Sequence, residues 1–257
     1  MKLIKSILKN TPIKSIVRNY KWRRNLAQWS LGDDRMLGFY RNFIHPDDIV
    51  FDIGANIGNR TKIFFKLGAI VIAVEPQEEC IKFLNKIYRK NNKVIIIAKA
   101  LGKTNEPKEM LISDANTISS LSEEWVRAVQ QSGRFAGNEW TKTQLVQTTT
   151  LDNLIDEYGS PSFIKIDVEG FEYHVVQGLS RPVNMLSVEF VPEYIDSTFH
   201  CIEYLSELGK IGLNLSIGES MEMEFNEWVS PKMMIDTLEK VRNNYKLYGD
   251  VYIKFLT

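Results

Sequence analysis

Apolar runs alternate with amphipathic stretches along most of this chain. From position 49 onward the apolar runs have about the usual length of a strand, and the stretches between them have helical spacing. The runs predict strands at 49–53, 70–74, 93–98, 162–166 and 185–190. The stretches predict helices near 59–67, 77–90, 151–158, 170–178 and 197–208. This alternation is typical of an α/β domain in which helices cover both faces of a mostly parallel sheet.

Two further apolar runs complete the predicted sheet. The run I-G-L-N-L-S-I after Gly209 predicts a sixth strand, and the run D-V-Y-I-K-F-L predicts a seventh. A helix that begins at Pro231 is predicted between them. The alternation breaks down only at 102–150. Long insertions beside a binding edge often shape a substrate site, so we interpret 102–150 as an insertion in a domain that spans 48–257.

The N-terminal stretch differs from the rest of the chain in its charge. Residues 1–32 include eight Lys and Arg residues and no acid. Apolar residues at spacings of three and four between positions 3 and 20 predict two short amphipathic helices, which Pro12 separates. We expect residues 1–47 to form a helical extension. Either it packs on the domain as a cap, or its basic face contacts an anionic membrane or a partner.

The composition excludes several classes of protein. The 257 residues include 32 basic and 32 acidic side chains, and this zero net charge does not favour a nucleic-acid partner. Cys80 and Cys201 are the only cysteines, which disfavours a disulfide framework or a zinc site and fits a reducing cytoplasm. No apolar run approaches the roughly 20 residues of a membrane span, and lysines interrupt the region where a signal peptide would be apolar. We therefore expect a cytoplasmic protein, attached at most to the inner face of a membrane.

The most informative motif is a glycine-spaced loop at the end of the first predicted strand, I-V-F-D-I-G-A-N-I-G. Gly54 and Gly58 allow a sharp turn beside a ligand, and the helix that follows presents free N–H groups to it. The spacing is G-x-x-x-G rather than the G-x-G-x-x-G of dinucleotide-binding proteins, and Asn56 stands where a pyrophosphate would require glycine. Asp52 would repel a diphosphate but attract a ligand that carries an ammonium and a sulfonium. The loop therefore predicts S-adenosylmethionine (SAM) as the cofactor.

The second predicted strand ends in V-E-P, which supports the same cofactor. Glu75 follows Gly58 by seventeen residues and is placed at the strand tip to accept hydrogen bonds from both ribose hydroxyls. Pro76 belongs to the same cofactor site and is expected to begin the next helix, where its missing N–H costs nothing. Acids at strand ends also cap helices. Capping explains Asp52 or Glu75 alone, but it does not explain their joint spacing.

A second motif, F-I-K-I-D-V-E-G at 163–170, brings three charges to the end of a predicted buried strand. Lys165, Asp167 and Glu169 alternate with apolar residues, so an extended backbone places them on one face. Ligands bind at the carboxyl ends of parallel strands, and charges on a buried strand are unusual unless they line a site. We predict Asp167 or Glu169 as the catalytic base and Lys165 as the group that orients them or the substrate. A surface ion pair of Lys165 with one acid is the alternative.

Three more residues are candidates near this motif. Glu189, at the tip of the fifth strand, is predicted to bind substrate, whereas Glu193 is interpreted as a solvated acid at a helix start. His174 lies on the helix after the motif and has a titration range that suits substrate binding or proton transfer, although a lone His is more often structural. Asp167, Glu169 and Glu189 offer oxygen ligands that suit magnesium. Nothing in their spacing requires a metal, so none is predicted.

Five motifs, in this order, closely resemble those of the FkbM family of SAM-dependent methyltransferases: D-I-G-A-N-I-G, V-E-P, T-L-D at 150–152, K-I-D-V-E-G and the V-E at 188–189. The resemblance implies a class I methyltransferase fold, a Rossmann-like seven-stranded sheet of order 3-2-1-4-5-7-6 with an antiparallel last-formed strand. It implies cofactor contacts at Asp52, Gly54, Ala55, Asn56, Gly58 and Glu75. An aromatic residue often follows the second motif glycine in such proteins, and Asn59 departs from that pattern.

The resemblance also implies the reaction, O-methylation of a hydroxyl on a sugar, glycolipid or polyketide-type acceptor. The partner is then a small molecule or a glycan, and the protein acts mainly by aligning the two reactants. One alternative is a NAD-dependent oxidoreductase, which the missing G-x-G-x-x-G disfavours. Another is a non-catalytic binding protein with a nucleotide fold, which the retained acids Asp167 and Glu169 disfavour.

Overall fold

The computed structural model describes residues 20–24 and 26–256, and strands alternate with helices over most of this range. The strands are β1 (Ile49–Ile53), β2 (Ile70–Val74), β3 (Val94–Ile97), β4 (Ala100–Leu101), β5 (Lys108–Ser113), β6 (Trp140–Val146), β7 (Thr148–Thr149), β8 (Phe163–Ile166), β9 (Met185–Phe190), β10 (Ile211–Ile217) and β11 (Gly249–Phe255). The helices after residue 30 are α1 (Leu31–Tyr40), α2 (Asn59–Lys66), α3 (Glu78–Tyr88), α4 (Glu123–Ser132), α5 (Leu151–Tyr158), α6 (Glu172–Val176), α7 (Ile195–Leu208) and α8 (Pro231–Glu239). Two 3₁₀ helices span Asn116–Ile118 and Pro192–Tyr194.

Seven of these strands form one large sheet, in the spatial order β10-β11-β9-β8-β1-β2-β3. Strands β1, β2, β3, β8 and β9 pair in parallel. Strand β11 is antiparallel to both of its neighbours, β9 and β10. The prediction of a mostly parallel α/β sheet with an antiparallel last strand is confirmed.

The strand order, numbered along the chain, is 3-2-1-8-9-11-10 and differs from the expected 3-2-1-4-5-7-6. Four additional strands cause the difference, because β4 to β7 precede β8 in sequence but lie outside the large sheet. They form two small sheets, β4 with β7 and β5 with β6. The difference therefore lies in the added strands of the insertion rather than in the path of the large sheet.

Apolar side chains pack on both faces of the large sheet. Successive residues of a strand point to opposite faces, so Val50 and Phe51 belong to two different core clusters. Helices α5, α7 and α8 cover the face of Phe51, and α1 and α2 cover the face of Val50. Because both faces are covered, the carboxyl edge of the parallel strands is left as the place for a ligand.

Hydroxyl side chains fix the beginning of four helices. At each of them the capping oxygen accepts the backbone N–H of the residue three positions later, an interaction that stabilises a helix by about 0.5 to 2 kcal/mol. The capping residues are Ser30 for α1, Ser122 for α4, Thr150 for α5 and Ser230 for α8. Helix α2 begins after Gly58 and has no such side-chain cap. Its first N–H groups are therefore left without a side-chain partner at the edge where ligands bind.

The insertion is anchored firmly to the domain. Trp125 of α4 packs so closely on Gly170 that a Cβ at Gly170 would lie 2.2 Å from its ring. Arg134 forms an ion pair with Glu193, in which Nε lies 2.8 Å from Oε1. The side chain of Glu193 is only 2% exposed. The interpretation of Glu193 as a solvated acid was wrong, because the insertion covers it.

The described part of the N-terminal extension packs on the domain. Trp22 and Leu26 are buried in a cluster with Ile57, Cys80 and Phe83. The rings of Trp22 and Phe83 meet edge to face, with centroids 5.4 Å apart. The two helices predicted between positions 3 and 20 lie almost wholly outside the described residues. Among the residues that are described, no helix combines the length and the apolar character that a membrane span requires.

Candidate active site

A cavity of about 260 Å³ opens at the carboxyl edge of the large sheet. It is lined by the loops that follow β1, β2, β3 and β8, by the insertion, and by Glu219 after β10. Most of the predicted cofactor residues and the catalytic candidates meet in this one cavity. They are Asp52, Gly54, Ala55, Asn56, Glu75, Pro76, Lys165, Asp167 and Glu169.

The two motif glycines are required by neighbouring protein atoms. Gly54 has φ +83°, and a Cβ there would lie 1.8 Å from the carbonyl oxygen of Asp167. Gly58 has φ +92°, and a Cβ there would lie 2.9 Å from Leu84 Cδ2. The sharp turn expected at these glycines is present, and neighbouring protein atoms leave no room for a side chain at either position. Gly58 does not line the cavity, and its role is to start α2.

Asp52 is buried at the end of β1, beside the glycine loop. Its Oδ2 accepts a hydrogen bond of 2.5 Å from the hydroxyl of Thr61 on α2. Burial raises the pKa of Asp52 to about 6, and the bond from Thr61 opposes that rise only in part. The carboxyl group therefore ties the loop to α2 and also contributes to the wall of the cavity.

Glu75 is held rigidly at the tip of β2. Its Oε2 accepts the backbone N–H of Asn56 at 2.8 Å, and its Oε1 accepts the N–H of Gln77 at 2.7 Å. Each carboxylate oxygen keeps a further lone pair for a ligand hydroxyl. Burial raises the pKa of Glu75 to about 7. Helix α3 begins at Glu78, so the expectation that Pro76 is the first helical residue was wrong.

Asn116, on the insertion, closes over the glycine loop. Its Nδ2 donates to Asn56 Oδ1 at 2.5 Å, and its carbonyl accepts from Asn56 Nδ2 at 3.1 Å. The same carbonyl accepts from Gln77 Nε2 at 3.0 Å. The insertion thus contacts both halves of the predicted cofactor site, and its role in shaping a substrate site stays a prediction.

Lys165 is a buried cation between two carboxylates. Its Nζ lies 2.7 Å from Asp250 Oδ1 and 3.3 Å from Asp167 Oδ2, and its side chain is 1% exposed. Burial alone would lower the pKa of Lys165, but Asp167 and Asp250 hold that pKa well above its usual value. This pairing rules out the alternative of a surface ion pair. Lys165 fixes the position of Asp167 at the cavity wall.

Asp167, Glu169 and Glu189 bring their carboxyl groups together, with one oxygen of each within 4.8 Å of the others. The strand ends at Ile166, so the clustering arises from a loop rather than from strand alternation. Glu172 shapes this loop by accepting the N–H groups of Val168 and Gly170 at 3.0 and 3.2 Å.

The clustering changes the acidity of these groups. Burial, followed by the charge of Asp167, raises the pKa values of Glu169 and Glu189 well above the usual range. Such a cluster can share a proton, and its oxygens also suit a divalent cation. Glu189 is part of this cluster although it does not itself line the cavity.

His174 lies outside the cavity. Its ring packs on Phe171 with centroids 4.3 Å apart. Burial is the main cause that lowers the pKa of His174. His174 is an exposed residue outside the cavity, so its contact with a substrate stays a prediction.

Four residues of the site were missed at the level of sequence: Asp250, Asn116, Glu172 and Arg60. Asp250 could have been predicted from the sequence, because it is an acid at the start of an antiparallel strand. Such a strand begins at the edge where the parallel strands end. Asn116 and Glu172 act through loops whose paths the hydrophobic pattern does not encode. Arg60 lies on the first turn of α2, where a charged residue is ordinary.

Comparison with known proteins identifies the family. Residues 52–211 match the model of the methyltransferase FkbM domain, and the chain belongs to this family. No curated protein sequence matches the chain. Family membership and the α/β fold together indicate a SAM-dependent methyltransferase, as the motifs implied. The alternative of a NAD-dependent oxidoreductase receives no support.

Solved structures with similar chain folds are distant in sequence. A precorrin-6y C5,15-methyltransferase from Geobacter metallireducens has 11% identity and a TM-score of 0.45, covering 86% of this chain and 87% of its own. A TehB-like SAM-dependent methyltransferase from Corynebacterium glutamicum has 10% identity and a TM-score of 0.47, covering 95% and 100%. Fibrillarin from Aeropyrum pernix, solved with natively bound S-adenosyl-L-methionine, has 9% identity and a TM-score of 0.40, covering 82% and 68%.

Proposed function

We propose that this protein transfers a methyl group from SAM to a hydroxyl oxygen of a sugar, glycolipid or polyketide-type acceptor. One observation carries the proposal. Glu75, the ribose-binding candidate, lines the same cavity as Asp167 and Glu169, the proton-accepting candidates. A cofactor held at the first residue and an acceptor held at the other two would therefore lie in one enclosed space.

The residues of the glycine loop fit SAM better than a dinucleotide. The side chain of Asn56 is tied to Asn116, where a pyrophosphate would need an open backbone. Asp52 adds a carboxyl group that repels phosphate and attracts the ammonium and sulfonium of SAM. Glu75, fixed by two backbone N–H groups, would receive the ribose hydroxyls. Bound SAM supplies the electrophilic methyl group.

The other charged groups of the cavity would bind the acceptor and take the proton of its hydroxyl group. The carboxyl pair of Asp167 and Glu169 would take the proton of the hydroxyl as its oxygen is methylated, which typically accelerates such steps by about 10² to 10⁴ fold. Lys165, anchored by Asp250, keeps Asp167 in place. Carboxylates are also good acceptors for neighbouring hydroxyls, which suits a polyhydroxylated acceptor such as a glycan.

The experiment is a comparison of methyl transfer and cofactor affinity in two variants, D167N and E169Q, which keep the shape and remove the charge. Single-turnover transfer of labelled methyl from SAM into oligosaccharides and a glycolipid extract should fall by about 10² to 10⁴ fold in each. Affinity for S-adenosylhomocysteine should stay as in the wild type. D156N, at an exposed acid on α5, serves as the control with full activity.

Two results would contradict the assignment. Full transfer in both D167N and E169Q would leave the carboxyl pair without a role in proton removal. A loss of S-adenosylhomocysteine binding that matches the loss of transfer would place these acids in cofactor binding instead. Product analysis of the wild type decides the atom, because an acceptor methylated on nitrogen or carbon would contradict O-methylation.

A further inference from the structure

Among the residues that the structure describes, three cationic side chains line the cavity: Arg60, Lys99 and Lys165. Lys165 is already held between Asp250 and Asp167. Lys99 is exposed and follows β3, the strand beyond β2 and Glu75, so it lies toward the adenosine end of the proposed cofactor site. Arg60 lies on the first turn of α2, next to the glycine loop. It is therefore the cation that remains for the opposite end of the cofactor.

Among the described residues, Arg60 has two hydrogen-bond partners, a thioether that is a weak acceptor and a solvent-exposed carboxylate that a ligand could replace. Its Nη2 donates to Glu219 Oε1 at 2.9 Å and to Oε2 at 2.8 Å, and its Nη1 donates to the sulfur of Met36. Glu219 is 55% exposed, whereas Arg60 is only 15% exposed. A thioether is a weak acceptor, and a guanidinium has five donors. Within the described part of the chain, Arg60 makes no other hydrogen bond, so this largely buried cation has spare donors at the cavity.

The carboxylate at the amino-acid end of SAM needs a cationic partner near Arg60. The amino-acid end of SAM carries an ammonium and a carboxylate. Asp52, Asp167 and Glu169 suit the ammonium and the sulfonium, but they repel the carboxylate. A guanidinium matches a carboxylate in geometry and charge, and such pairs are among the strongest hydrogen-bonded contacts in proteins.

We infer that Arg60 binds the carboxylate of the amino-acid end of SAM, and that Glu219 occupies this guanidinium until the cofactor replaces it. The inference rests on the proposed function, since it requires SAM in the cavity. Glu219 is then a competitor of the cofactor. Its removal should tighten cofactor binding, whereas removal of Arg60 should weaken it.

The test uses two ligands that differ only in the amino-acid part. S-adenosylhomocysteine has the carboxylate, and 5′-methylthioadenosine lacks the whole amino-acid group. By calorimetry with the full chain, R60Q should bind S-adenosylhomocysteine about 10 to 100 fold more weakly and R60K less so. Both should bind 5′-methylthioadenosine as the wild type does. E219Q should bind S-adenosylhomocysteine more tightly, with 5′-methylthioadenosine again unchanged.

Lys62 provides the matched control. It lies two residues further along α2, pairs with Asp33 at 2.7 Å, and does not line the cavity. K62Q should change neither affinity. This variant separates a local contact with the cofactor from a general effect of charge on the helix.

Several outcomes would overturn the inference. If R60Q weakens the binding of both ligands equally, Arg60 supports the fold of the loop and does not bind the carboxylate. If R60Q and R60K bind S-adenosylhomocysteine like the wild type, the inference fails while the proposed function stands. If E219Q leaves the affinity unchanged, Glu219 is not a competitor. If the wild type binds neither ligand, the proposed function fails, and the inference fails with it.

Discussion

The ammonium of Lys165 lies 2.7 Å from Oδ1 of Asp250, a residue 85 positions further along the chain. Strand topology brings the two together. Strand β11 runs antiparallel to β9, so its first residues lie at the edge where β8 and β9 end. Asp250 thereby supplies a buried counter-charge beneath the catalytic candidates, and it links the last strand of the chain to the loop that carries Asp167.

Removing this counter-charge should destabilise the protein strongly. Of the two ion-pair partners that Lys165 has among the described residues, D250N leaves only Asp167, at 3.3 Å from the buried cation. Losing one member of a buried ion pair costs about 3 to 5 kcal/mol of unfolding free energy. Denaturant unfolding of the wild type and D250N measures this difference.

The control for D250N is an ion pair at the surface. E78Q removes the partner of Lys82 on α3, where the two side chains are 69% and 74% exposed. Exposed pairs contribute little, so unfolding should not change measurably. An unfolding free energy of D250N equal to that of E78Q would contradict a structural role for the buried pair.

The stability of the protein without cofactor should depend on pH through its buried acids. Burial raises the pKa of Asp52 to about 6 and the pKa values of Glu75 and Glu172 to about 7. An acid with a raised folded-state pKa contributes stability that is present below its unfolded pKa and is lost as pH rises through the folded value.

Glu75 isolates one part of this pH dependence. The unfolding free energy of the wild type relative to E75Q should fall as pH rises from about 4.5 to about 7, because only the wild type has to ionise the buried carboxyl group. Above that range the difference should level off. Urea unfolding at half-unit steps of pH measures it, and a difference that rises with pH would show that Glu75 is stabilised in its charged form.

The contact between Asn116 and Asn56 should help retain the cofactor. N116A removes one side-chain donor, and a neutral hydrogen bond contributes about 0.5 to 1.5 kcal/mol, so S-adenosylhomocysteine affinity should fall by roughly 2 to 10 fold. Faster dissociation in stopped-flow experiments should account for most of the loss. N138A, in the same insertion but at a side chain that donates to the nearby carbonyl of Phe135, should match the wild type. Equal rates of S-adenosylhomocysteine dissociation from N116A and N138A would show that the contact of Asn116 does not help to retain the cofactor.

The parts of the fold that were predictable are those that depend on local periodicity. The five apolar runs from 49 to 190 and the two after Gly209 became the strands of the large sheet. The motif spacing also placed Glu75 and Asp167 correctly at one edge, because the carboxyl ends of parallel strands meet there. These inferences need only the side-chain period and the direction of each strand.

The parts that were not predictable depend on contacts distant in sequence. Glu193 was read as solvated, but Arg134 of the insertion covers it from 59 positions away. Glu169 was placed on a strand face, but it lies in a loop with φ +56° that Glu172 and Gly170 shape. The sequence neighbours of Glu193 and Glu169 do not indicate which segment packs against each residue.

The N-terminal extension is predicted to stabilise the domain by packing on it and to contact an anionic membrane. Trp22 is buried in a cluster with Ile57 of the glycine loop and packs on Phe83, so W22A should cost about 3 to 5 kcal/mol of stability, as for other buried aromatic residues. For the basic face we keep the proposal of peripheral membrane contact. The full chain should sediment with anionic liposomes at low salt and be released at high salt. Unchanged sedimentation after replacing the basic residues of 1–18 with Gln would contradict that proposal.

The most direct test of the proposed function is a calorimetric titration of the full chain with S-adenosylhomocysteine and, in parallel, with NAD. We expect S-adenosylhomocysteine to bind and NAD not to bind. In E75A the affinity for S-adenosylhomocysteine should fall by about 1.5 to 3 kcal/mol, or roughly 10 to 150 fold, because the ribose loses a charged acceptor. Binding of NAD without S-adenosylhomocysteine, or an unchanged affinity in a folded E75A variant, would contradict the account.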